Sequence, residues 1–75
     1  MTLSLETRIA AAKRMVRRIE ADRPFFLKRV ADRSEAEREL AIRTFEDSLR
    51  SWKQKLDALL AEQGRLYAFK WILSA

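Results

Sequence analysis

Six apolar residues, Ile42, Phe45, Leu49, Trp52, Leu56 and Leu59, recur in alternating steps of three and four along the middle of the chain. On an α-helix this heptad-like, coiled-coil period puts all six in one narrow stripe, and such a stripe is stable only when another helix covers it. The ends of the segment are marked as well. Ser34 stands three residues before Glu37, the spacing of a capping box in which each side chain satisfies an amide of the first turn. Gly64 stands where a left-handed C-cap residue belongs. The pattern predicts a long central helix over about 34–63 and requires a partner for it.

The rest of the chain supplies helices. One glycine and one proline leave little material for hairpin turns, and Ala, Leu, Arg, Glu and Lys dominate, so the fold class is all-α in one domain, 1–75. Leu5, Ile9, Ala12, Val16 and Ile19 fall within about 80° of arc and predict an N-terminal helix over about 3–22, capped by Thr2 or Ser4. Small Ala12 would let a bulky residue such as Trp52 approach. Pro24 disfavours helical geometry at Arg23, which predicts a break there and a short helix or turn over 24–33. A kinked continuous helix is the competing reading, because Phe26 and Val30 continue the first stripe. At 1.5 Å per residue the central helix spans roughly 45 Å, the first about 30 Å and the 24–33 piece roughly 15 Å, so an antiparallel helical hairpin matches the two sides in length. After Gly64, residues 65–74 predict a short C-terminal helix that is apolar nearly all round. Such a helix needs burial, either across the hairpin or against a second molecule. The alternation of Tyr67, Phe69 and Trp71 would also suit a strand added to a partner's sheet.

Catalysis is the class that the composition disfavours most. Histidine and cysteine are absent, which removes the commonest general base, the commonest transition-metal ligands and any disulfide. Ser48 and Ser51 have no histidine to activate them. Glu35 and Glu39 belong to a helix start, where negative charge favours the dipole, and Glu46 and Asp47 point away from the stripe. A single glycine excludes a glycine-rich phosphate loop. The expectation is a non-enzymatic protein with no catalytic residue, metal or cofactor. No apolar run approaches the ~20 residues of a transmembrane segment. The start of the chain is amphipathic and arginine-rich like a mitochondrial presequence, but Glu6, Glu20 and Asp22 argue against one, and a cytoplasmic protein is expected.

Two surfaces remain as candidates. With 16 basic and 11 acidic residues the chain carries net +5, and residues 3–23 hold six basic against three acidic groups. Lys13, Arg14, Arg17 and Arg18 cluster opposite the first stripe, with Glu20 and Asp22 placed to offset Arg17 and Arg18. This patch is a candidate anion or nucleic-acid site, though it lacks the interleaved aromatics that would stack on bases. The other surface is apolar. Tyr67, Phe69, Lys70, Trp71 and Ile72 of the tail are the expected partner-binding residues, and Phe25 with Leu40 would extend a hydrophobic patch at the opposite end. A membrane-surface helix is the weaker third option, since no aromatic lies on the 5–19 stripe. The sequence therefore points to a small protein–protein interaction module that self-associates and binds a partner, with a basic nucleic-acid-binding hairpin as the alternative. Its alanine- and arginine-rich composition is of a bacterial or phage kind. Adaptor, small assembly subunit and phage- or mobile-element-encoded inhibitor are all compatible roles.

Overall fold

Two serine hydroxyls start the two helices. Ser4 has extended backbone (φ −63°, ψ 156°), and its Oγ accepts a hydrogen bond from the Thr7 amide at 3.2 Å. Ser34 Oγ accepts from the Glu37 amide at 3.3 Å. No bond returns from the Glu37 carboxylate among the described residues, so half of the expected capping box forms. The computed structural model describes residues 3–74, as helix α1 (Leu5–Val30) and helix α2 (Glu35–Ser74). Thr2, the other candidate cap, lies outside the described residues. The Val30 carbonyl accepts from the Arg33 amide at 3.1 Å, and Arg38 Nη1 donates to the Ala31 carbonyl at 3.5 Å. These bonds close a tight turn that sends α2 back along α1 as an all-α antiparallel hairpin.

Both helices run through the residues expected to stop them. α1 is continuous through Pro24, so 3–22 and 24–33 are one element. Pro24 removes the amide that would bond to Glu20 and costs roughly 3 kcal/mol in a helix interior. Residues 20 and 24 are both exposed, so water reaches the released carbonyl. Beyond the proline, buried Val30 and half-buried Phe26 hold the last turns of α1 on α2. Gly64 is equally helical; it has no positive φ, and the expected 65–74 helix is the continuation of α2. The tail therefore neither folds across the hairpin nor forms a strand.

Three contacts fix the register. The rings of Phe26 and Phe45 stack with centroids 4.7 Å apart. Arg23 Nη2 reaches Glu46 Oε1, and Lys53 Nζ reaches Glu20 Oε1, each at 3.3 Å. Both ion pairs are about half exposed, so each contributes at most about 1 kcal/mol. On this register Trp52 lies level with Ile19, whereas Ala12 lies level with Leu56 and Leu59. Trp52 thus does not fill the space at Ala12; Lys55 Nζ sits 4.6 Å from its ring centroid instead.

The core is small. Among the described residues, Ile9, Ala12 and Val30 are the buried apolar ones. All six stripe residues of α2, from Ile42 to Leu59, are only half-buried. With 26 residues in α1 and 40 in α2, the helices measure roughly 39 and 60 Å, giving a rod 61 × 22 × 19 Å. α2 consequently overhangs the start of α1. Truncating one of the few buried side chains, Ile9→Ala, is expected to cost about 2–5 kcal/mol, seen as loss of the cooperative melt in far-UV circular dichroism. A Cβ at Gly64 would meet nothing within 4 Å. Gly64→Ala should therefore stabilise the helix locally by about 1 kcal/mol and slow amide exchange over residues 65–70 roughly fivefold.

Candidate interaction surfaces

The two long edges of the hairpin differ in chemistry. At 100° per residue, Glu46 and Lys53 share one edge of α2, and their ion pairs to Arg23 and Glu20 cover the neighbouring flank of α1. Glu37, Leu40, Ala41, Thr44 and Ser48 lie on the opposite edge. There they border an open groove near the turn, floored by Phe26 and Phe45, with a volume of ≈ 510 Å³. The volume is that of a small-molecule site, but the groove is open along its length, and its lining is mostly apolar. Its chemistry suits apolar side chains more than a polar ligand.

Leu40 is 63% exposed on the rim of this groove, with Arg33 and Glu37 beside it. Phe25, expected to join it, does not line the groove; Phe26 does. One residue along a helix is a 100° rotation, and the exposed Phe25 ring lies off the groove edge. Phe26 was missed as a surface residue because it continues the α1 stripe, whereas it both stacks on Phe45 and floors the groove.

The tail residues occupy different faces of one helix. Leu66, Phe69 and Leu73 fall within about 60° of one another, on the groove edge of α2. Tyr67 and Trp71 fall on the ion-paired edge, and Ile72 points away from α1. Tyr67 and Lys70, with Leu66 and Gln63, border a hollow of ≈ 270 Å³ against Ser4, Leu5 and Glu6 at the open end of the hairpin. Exposure rises beyond that point: Trp71 is 80%, Ile72 73% and Leu73 70% exposed.

Lys13, Arg14, Arg17 and Arg18 are all exposed on the outer side of α1. Arg14 and Arg18 flank a shallow apolar dip formed by Ala11 and Met15. Glu20 does not turn back to Arg17; it reaches across to Lys53, a contact that depends on register and not on helical spacing. The four cations thus keep more uncompensated charge than the spacing predicts. Among the acidic pairs, Glu46 is engaged by Arg23 and Asp47 by Arg50 at 3.3 Å. Among the described residues no three His, Cys, Asp or Glu side chains come together as metal ligands, and no helix is long and apolar enough to cross a membrane.

Compared with known proteins, the chain matches no family model, no curated protein and no solved structure.

Proposed function

We propose that this hairpin is a non-enzymatic protein–protein interaction module of the cytoplasm, acting through self-association and partner binding. The observation that carries this reading is the far end of α2. There Leu66 and Tyr67 lie exposed beside the start of α1, and Phe69, Trp71, Ile72 and Leu73 follow, largely exposed. Apolar surface of this extent on so small a chain is a binding site more often than an accident of composition. Tryptophan and tyrosine carry the largest share of interface energy for their size. The groove at Leu40 adds a second apolar patch.

Trp71→Ala tests the proposal without touching the core. Its helix content should match the wild type, while capture of partners from the native host falls at least tenfold, read by affinity purification with mass spectrometry and nuclease controls. Unchanged capture with unchanged oligomeric mass would remove this reading.

The diversion of Glu20 to Lys53 supports a second reading, in which Lys13, Arg14, Arg17 and Arg18 contact phosphates. Its mark is a gel shift at low salt that weakens steeply as salt rises and disappears in the fourfold alanine variant. No shift at low salt disposes of it.

A further inference from the structure

Because α1 runs on through Pro24, residues on both sides of the proline share one face. At about 100° per residue, the direction opposite buried Ile9, Ala12 and Val30 is the centre of an arc of about 120°. That arc holds Arg14, Arg17, Arg18, Phe25, Lys28 and Arg29, and its other members are Thr7, Ala10, Ala11 and Ala21. All of them are exposed, and no acid falls among them. Glu6 and Asp22 stand about 20° outside the two margins, and Lys13 about 40° outside one. Counting these three with the face still leaves six cations against two acids. Past Arg29 the turn adds Asp32 and Arg33, one charge of each sign. None of the five cations is held in an ion pair among the described residues, where Glu20 turns to Lys53 and Arg23 to Glu46. The break expected at Pro24 would have left Arg14, Arg17 and Arg18 without an aromatic; the continuous helix gives them one.

We infer that this face binds an unpaired polynucleotide strand, with phosphates on the cations at either end and a base stacked on Phe25. The inference rests on the phosphate-contact reading and adds to it the aromatic and a second cationic pair. Charge sets the class of occupant. From Arg14 to Arg29 the face runs about 22 Å without an acid, which suits a chain that carries a charge on every unit. A membrane-surface helix needs a broad apolar face, and this one has a single large apolar side chain. Spacing selects the unpaired form. The cations fall into two groups, and the gap from Arg18 to Lys28 measures about 15 Å. Phe25 stands in that gap, 66% exposed. A helical side chain leans over the turn before its own, where small Ala21 leaves the ring uncovered. A duplex offers denser phosphate but keeps its bases stacked on one another, so Phe25 would have nothing to receive. No amide or hydroxyl of this face stands beside Phe25 to read base edges or the ribose 2′-hydroxyl. Thr7 is about 27 Å away along the helix, and its hydroxyl shares a 2.8 Å hydrogen bond with that of Ser4. The face therefore takes DNA and RNA strands alike and reads little sequence.

Fluorescence anisotropy on the full chain tests this at low salt, with labelled oligo-dT, oligo-U and the oligo-dT·oligo-dA duplex, each about twelve nucleotides long. The two single strands should bind within about threefold of each other, and both tighter than the duplex despite its higher charge density. Phe25→Leu keeps an apolar, helix-favouring side chain at an exposed site, so helix content by circular dichroism should not change. Its affinity for the single strands should fall about tenfold, with duplex affinity unchanged. Lys28→Gln combined with Arg29→Gln, beyond the proline, should lower the slope of log affinity against log salt by about 1.4. Duplex bound as tightly as single strand, no loss in Phe25→Leu, or an unchanged salt slope overturns the inference and leaves the phosphate contacts standing. No binding to any of the three at low salt removes both. A chain that sediments with phosphatidylserine vesicles and leaves the oligonucleotides free overturns it in favour of a membrane surface.

Discussion

Two helices lying side by side touch along one line, and each can cover only one flank of the other's stripe. That geometry governs the whole molecule. The stripe on α2 is as wide as Trp52, Phe45 and four large aliphatic residues make it, yet every one of these side chains stays half in water. The buried side chains among the described residues are two aliphatics and an alanine, all on α1. Backbone ordering opposes folding with roughly 1–2 kcal/mol per residue, and so small a buried volume returns little against it. The helices persist because local features agree with one another: serine caps at both starts, helix-favouring composition, and a turn closed by Arg38. Further burial has to come from another molecule.

The edges divide the remaining tasks. One is held by cross-helix ion pairs, which fix register at little energetic gain because both partners stay wet. The other is open and mostly apolar near the turn, where Arg33 and Glu37 border the groove. The molecule is also electrically lopsided. α1 holds eight basic and three acidic residues, whereas α2 holds seven of each. The whole net charge of the two helices therefore sits on α1.

Helix class, the hairpin and the stripe were legible in the sequence because period, capping residues and composition all pointed the same way. The breaks were not. Pro24 and Gly64 are local signals worth about 1–3 kcal/mol, and local signals lose when packing continues on the far side and water serves the exposed side. Phe26 stacked on Phe45 settles the first case. For the second, helix continues on the far side of Gly64 because Leu66, Tyr67 and Lys70 still meet the start of α1. The partner of Glu20 and the floor of the groove were equally hidden, since both depend on register between helices. A shift of one residue exchanges Phe25 for Phe26 at the groove. Exposure of the tail was beyond sequence reasoning too: an all-round apolar helix states that it needs cover, and only the three-dimensional arrangement shows that the start of α1 supplies little of it.

Gly64 has a consequence of its own. It stands just before the last residues of α2 that meet the start of α1, so a weak helix former lies at the base of the segment where lateral support runs out. A helix end with one weak residue at its base frays from tip to base, and does so without disturbing the packed length behind it. Residues 68–73 are therefore the described part of α2 with the least holding it, a step in stability where there is no bend in shape. Whatever docks there must first fix the segment, and it forfeits part of its binding energy to that ordering. Affinity at the tail is in this way set partly by a single missing methyl group that touches no partner.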